Sequence, residues 1–156
     1  MEIIHNPLAI YSLSADTVLL RVDRRTLAKR LWKAVAEDGT EFGFELEHAL
    51  RHGDRFHVSR NVLYRIEQEP EFLLRIELSP SPGSSAMLGW QIGNLHCPVQ
   101  VRDGFLFVAD EPGMREQLNR MRLLFSPLPG IFEPFRSPAA HGGGHTHHSE
   151  HASFTT

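Results

Sequence analysis

Between Phe72 and Leu128 the residue pattern switches in a fixed order, and few folds accommodate that order. Phe72-Leu73-Leu74-Arg75-Ile76-Glu77-Leu78 reads as a strand. Ser79-Pro80-Ser81-Pro82-Gly83-Ser84-Ser85 is a loop by composition. A helix follows from Ala86 to Ile92, with Ser84 or Ser85 as its cap and Met87 and Trp90 one turn apart on its core face. Val99-Gln100-Val101 and Phe105-Leu106-Phe107-Val108 are short strands joined by a hairpin signal at Asp103-Gly104. Met114, Leu118, Met121 and Phe125 keep helical spacing. Asp110 reads as that helix's cap, with Pro112 in its first turn and Arg122 near its end, where a cation suits the dipole. Leu123 to Leu128 closes the set as a last strand. The order strand, helix, strand, strand, helix, strand is the split βαβ arrangement of the ferredoxin-like fold. It predicts a ferredoxin-like unit over residues 70–135.

Upstream, the alternation is that of strands alone. Val18 to Val22, Leu31 to Ala36, Phe42 to Leu46, Phe56 to Val58 and Val62 to Ile66 are short β-like runs. Asp38-Gly39 is a strong hairpin signal, since both central turn positions want positive φ, and Arg60-Asn61 marks another tight turn. Phe42, Phe44 and Leu46 share one face. The basic run Arg24–Arg30 reads as solvated surface. Residues 1–69 are thus expected to form a small all-β sandwich or barrel, and the whole chain an α+β protein.

Composition narrows the function classes. The 156 residues are 41% hydrophobic and 22% charged, as in ordinary globular chains. A net charge of -3, with arginines scattered among acids, argues against a nucleic-acid surface. One cysteine excludes an intramolecular disulfide and suits a reducing cytosol. No apolar run has the length of a membrane span, and Met-Glu-Ile-Ile lacks a basic leader. No serine lies in a nucleophile elbow and no phosphate loop appears, so the sequence holds no constellation for catalysis. His48, His52 and His57 cluster in sequence, but His48 and His52 read as residues flanking a surface turn.

Histidine is the anomaly: ten in all, five of them between His141 and His151. His141, His145, His147, His148 and His151 are separated by glycine and small polar residues. Neutral imidazole suits nickel, copper and zinc, and the glycines let the chain wrap around one ion. A purification tag is the bland alternative, although tags are contiguous histidines. From residue 136 to 156 almost nothing is available to bury, which predicts a flexible tail.

The sixth candidate lies in Gly93-Asn94-Leu95-His96-Cys97-Pro98. Gly93 and Asn94 read as helix-stop residues that tolerate the left-handed conformation. Pro98 holds Cys97 extended. His96 therefore enters a strand from a fixed turn, either as an ordinary surface histidine or as a functional one. Cys97 adds a soft ligand or packs as a small hydrophobe. Neighbours in an extended chain point to opposite faces, which disfavours a Cys97–His96 dyad.

These features together resemble UreE, the urease accessory protein family of nickel metallochaperones. The most specific piece is Leu88-Gly89-Trp90-Gln91-Ile92-Gly93-Asn94-Leu95-His96-Cys97-Pro98-Val99-Gln100, and Phe132-Glu133-Pro134 is also family-like. The resemblance implies that His96 binds Ni(II) at a homodimer interface, with Zn(II) or Cu(II) able to take the same residues. It also implies a peptide-binding-like first unit, an accessory GTPase as partner and urease apoprotein as recipient. Asp110 matches a family aspartate that often has histidines beside it. Here its neighbours are Ala109 and Glu111, so Asp110, like Cys97, is only a minor metal candidate. The competing function is a His-rich buffer that stores nickel, zinc or copper without delivering it.

Overall fold

The computed structural model describes residues 1–8 and 16–135. The histidines at 141, 145, 147, 148 and 151, and the expected flexible tail, lie outside the described residues. Among the described residues, ten strands in three sheets and three helices make an α+β arrangement.

Six strands come first: β1 (Glu2–Ile4), β2 (Asp16–Val22), β3 (Leu31–Val35), β4 (Glu41–Glu45), β5 (Arg55–Ser59) and β6 (Val62–Gln68). They form two three-stranded sheets, ordered β1-β4-β3 and β2-β6-β5. The alternation that reads Phe42, Phe44 and Leu46 onto one face holds, since all three are buried. They meet Trp32, Phe56 and Tyr64 in one core drawn from both sheets. Trp32 stacks on Phe44 with centroids 3.9 Å apart, and Phe42 meets Phe56 edge-on at 5.0 Å.

Local chemistry sets the turns, with one difference from expectation. Arg60 and Asn61 both have positive φ, as a two-residue hairpin requires. At Asp38-Gly39 only Gly39 does. There the Ala36 amide donates to the Thr40 carbonyl, and Asp38 instead accepts from the Thr40 amide and the Tyr64 hydroxyl. An aspartate that can bond its own turn has no need of the left-handed region.

The basic run is not simply solvated. Arg24–Leu27 forms a single helical turn, α1, capped by the Asp23 carboxylate, which accepts from the Arg25 and Thr26 amides. A hydrogen bond from the Thr26 side chain, together with those amides, holds the Asp23 carboxyl below its usual range. Leu27 is buried, and the Arg24 guanidinium forks onto Glu71 at 2.7 and 3.1 Å while lying over the Phe132 ring. The run fastens the first six strands to the second half of the chain.

The remaining elements are β7 (Glu71–Glu77), α2 (Pro82–Gly93), β8 (Gln100–Arg102), β9 (Phe105–Ala109), α3 (Met114–Arg120) and β10 (Ser126–Gly130). The four strands are antiparallel in the order β10-β7-β9-β8. On one face Leu74, Ile76, Leu106 and Val108 pack against Leu88, Ile92, Met114 and Leu118 of the helices. On the other face Leu73, Phe107 and Ala109 pack against Phe132. In edge strand β10, Pro127 and Pro129 alternate with the residues that face the ladder, as a residue without an N–H requires.

The helix ends correct the sequence reading. Helix α2 begins a turn earlier than expected, with Pro82 in its first turn and no side-chain cap. Ser84 and Ser85 lie inside it, and the Ser85 hydroxyl donates to the Ser79 carbonyl instead. Its buried stripe is Leu88 and Ile92, whereas Met87 and Trp90 are 57% and 64% exposed. Two apolar stripes at helical spacing share this helix, and the sheet takes the aliphatic one. Gly113, not Asp110, precedes α3. That helix ends at Arg120, and Arg122 lies beyond it with φ 57°, in a turn where the Leu123 amide donates to the Leu118 carbonyl.

Candidate metal centre

His96 sits where α2 runs out. The Asn94 amide donates to the Trp90 carbonyl, Leu95 to Ile92 and His96 to Gly93, so the last turn tightens before the chain turns away. Sequence pattern assigns the left-handed conformation to Gly93 and Asn94. Asn94 is instead right-handed, and His96 itself has φ 54°. Histidine is among the few residues enriched there, although the conformation still costs roughly 1–2 kcal/mol. Strain of this kind gathers at functional positions.

The turn directs its two candidates differently. His96 is exposed, and Cys97 is half-buried against the core formed by α2, α3 and the sheet. Burial pushes the Cys97 thiol up, and the Glu111 charge adds to this. The thiol therefore stays protonated at neutral pH, unlike a thiolate prepared for metal or nucleophilic chemistry.

Asp110 is already engaged. Arg115 Nε donates to Oδ1 at 2.9 Å and Nη2 to Oδ2 at 2.6 Å, which holds the carboxyl below its usual range. A cation at Asp110 would first have to displace a guanidinium. Glu111 pairs with Arg25 at 3.0 Å. Among the described residues no three His, Cys, Asp or Glu side chains converge as a metal site. At this turn one described chain thus supplies a single exposed imidazole.

The segment that leads to residue 136 comes back to this turn. The Phe135 amide donates to the Val99 carbonyl at 2.9 Å, three residues past His96. The Glu133 amide donates to the Gln100 side-chain oxygen at 3.2 Å, and the Gln68 amide group donates to the Phe132 carbonyl at 2.9 Å. Pro98, Phe132, Pro134 and Phe135 share the walls of a cleft of about 530 Å³ with Arg24 and Gln68. Nothing in the sequence pattern points to the two glutamines. Their one signal is their place, at the end of β6 and the start of β8, where a buried polar residue needs a partner.

Comparison with known proteins defines the class first. Residues 71–155 match the UreE urease accessory protein C-terminal domain, which spans α2, the His96 turn and the histidine-rich end. Similar proteins carry the name urease accessory protein UreE. One from Beijerinckia indica is 31% identical over 137 residues, covering 86% of this chain and 77% of that protein. One from Pseudomonas fluorescens is 29% identical over 154 residues, covering 97% and 89%. One from Burkholderia ambifaria is 30% identical over 135 residues, and there the chain spans 64% of the relative's length. The chain belongs to the UreE urease accessory protein family.

Proposed function

We propose that this protein is a nickel metallochaperone that carries Ni(II) to apo-urease during assembly of the urease metallocentre, working as a homodimer in a reducing cytosol alongside an accessory GTPase. In this reading residues 1–69 are a small all-β unit, 70–135 a ferredoxin-like metal-binding unit and 136–156 a His-rich segment. The separate cores of the first and second sets of strands support that division, as does the antiparallel order β10-β7-β9-β8.

The observation that carries the reading is His96. It is an exposed imidazole on a strained, backbone-fixed turn, and the root of the histidine-rich segment is bonded three residues away. One imidazole is a poor site, but a twofold axis brings two copies to one point. The exposed Met87 and Trp90 on α2, the helix that leads into the His96 turn, offer an apolar flank for the second copy. Two His96 rings, with His141, His145, His147, His148 and His151, then supply enough nitrogen ligands for one ion or several. A site completed by such ligands can release its cargo, unlike a closed structural zinc site. Its donors would also accept Zn(II) or Cu(II), since affinity alone does not select nickel. Cys97 and Asp110 stay minor candidates. This is a binding and delivery role, not an enzymatic one.

The test is nickel titration of four full-length proteins: intact, His96→Ala, the five tail histidines changed to Ala, and both together, each sized by chromatography. The tightest site should vanish with His96→Ala while weaker tail sites persist. If the His96→Ala protein keeps the tightest site, a tail-only nickel, zinc or copper buffer is the better description.

A further inference from the structure

The sheet β10-β7-β9-β8 has one face under α2 and α3. On its other face Phe132 covers the end that holds Leu73 and Ala109. The opposite end carries Arg75, Glu77, Arg102 and Phe105, and Glu77 and Arg102 stand exposed on it. Register sets Arg75 opposite Phe107 and Arg102 opposite Phe105, so the two arginines flank β9 from its two neighbours. Each leans diagonally across a ring. The Arg75 guanidinium carbon is 4.6 Å from the Phe105 centroid, and that of Arg102 is 5.1 Å from the Phe107 centroid. Arg24 and Arg115 fork onto carboxylates, but Arg75 and Arg102 pair with none among the described residues. A guanidinium held flat on a ring keeps its N–H edge free and already oriented, so it loses little freedom on meeting an anion.

We infer that this end of the sheet is a docking surface for an extended acidic segment of a partner protein, whose alternate carboxylates meet Arg75 and Arg102. Charge complementarity carries the inference: two unpaired, pre-oriented cations lie side by side on a chain of net charge -3. Spacing sets the form of the segment. The rings beneath the two guanidiniums are 6.3 Å apart. Alternate side chains on one face of an extended chain are about 6.7 Å apart, so one segment reaches both cations. Phe105 and Leu128, both partly buried, give the stems of its side chains an apolar floor. Glu77 is the one acid that strand register places on this end, and it opposes a third carboxylate there. Paired phenylalanines on a sheet of this order also stack nucleobases in RNA-binding domains. Here the arginines already cover the rings and Phe107 is 4% exposed, which favours carboxylates over bases. The surface depends neither on His96 nor on nickel.

The experiment titrates full-length, metal-free protein at low salt with an eight-residue peptide of alternating glutamate and serine, read by amide chemical shifts. The largest shifts should fall on β7, β8 and β9 around Arg75, Arg102 and Phe105. Arg75→Gln and Arg102→Gln should each weaken binding on the order of three- to tenfold, and the double change more than tenfold. Arg120→Gln on α3, the same loss of charge elsewhere, should change it less than twofold. Changing both Arg75 and Arg102 to Lys keeps the charge but loses the planar fork, and should still weaken binding about threefold or more. A peptide with the same four glutamates three residues apart should bind at least about threefold more weakly, because successive acids then point to opposite faces. Thermal melts check that each variant folds. If a glutamine variant does not, Glu77→Gln decides: without the opposing charge the peptide should bind about twofold more tightly, and weaker binding overturns the inference. Shifts centred elsewhere overturn it, as does a loss on Arg75→Gln and Arg102→Gln no larger than on Arg120→Gln. Stronger binding by oligothymidylate than by the peptide would make the face a nucleic-acid surface and overturn it. A smaller particle on size-exclusion chromatography of the Arg75→Gln, Arg102→Gln protein would make it a contact between copies of this chain, and overturn it too.

Discussion

Arg115 clasps both carboxylate oxygens of Asp110, with its Nη2 2.6 Å from Oδ2. The pair joins the end of β9 to the second residue of α3, across the loop that carries Glu111 and Pro112. It gives Asp110 a structural task where the sequence suggested a cap.

Because Arg115 lowers the Asp110 pKa, the stabilisation is present above the unfolded carboxylate value and is lost as pH falls through the folded one. Asp110→Asn should cost about 0.5–1 kcal/mol near neutrality, modest because the Arg115 side chain is largely exposed. Thermal melts of both proteins should differ by a constant amount above about pH 5, and the gap should close as pH falls through the lowered folded value. A gap that persists in acid would mean the aspartate acts through packing.

His96 should be a strained position for the fold. Its φ of 54° suits glycine or asparagine and opposes β-branched residues. Relief of roughly 1–2 kcal/mol, less about 0.4–1 for the freer unfolded chain, predicts that His96→Gly is neutral to slightly stabilising. His96→Val should cost about 2 kcal/mol. Urea unfolding of the metal-free proteins measures the order, and equal stabilities for Gly and Val would refute it.

That turn also marks how far the sequence could be read. Helix, turn and strand were legible because Gly93, Asn94 and Pro98 punctuate the chain. Which residue takes the left-handed conformation was not, since the tightened last turn of α2 moves it from Asn94 to His96. The sequence of strands and helices from residue 71 onward was legible from pattern, whereas strand β1 and the parallel pairings β1-β4 and β2-β6 were not, because they join residues far apart in the chain. The core face of α2 was not, because Met87/Trp90 and Leu88/Ile92 satisfy the same spacing and only the sheet decides between them. One-turn helix α1 is too short to show a period, and Gln68 and Gln100 matter only through partners 64 and 33 residues away.

Ile92 is fully buried between α2 and the sheet, two residues before the turn that ends at His96. Ile92→Ala should cost about 2–4 kcal/mol, from lost burial plus a residual cavity. Denaturant unfolding checks this, and a cost below about 1 kcal/mol would mean the site collapses freely.

The Cys97 thiol should react slowly. Its raised pKa leaves less thiolate at pH 8 than a free cysteine has, and its half-buried position slows access further. Alkylation by iodoacetamide, followed by mass spectrometry, should proceed several-fold more slowly than for glutathione and match it only after denaturation. A rate equal to that of free thiol would reopen Cys97 as a ligand.

Nickel binding should weaken between roughly pH 7 and 5, because ligand imidazoles must be neutral and an unperturbed histidine titrates at about 6.5. Calorimetric titration across that range tests it. A flat affinity would assign the ions to carboxylates or backbone carbonyls.

The prolines of β10 set a limit on how this protein can assemble. Pro127 and Pro129 leave the outer rim of that strand without the amide donors that a growing sheet recruits. A neighbouring molecule cannot zip onto this side as an extra strand. Copies of the protein crowded together are thereby kept from templating one another into a runaway β-stack along this rim.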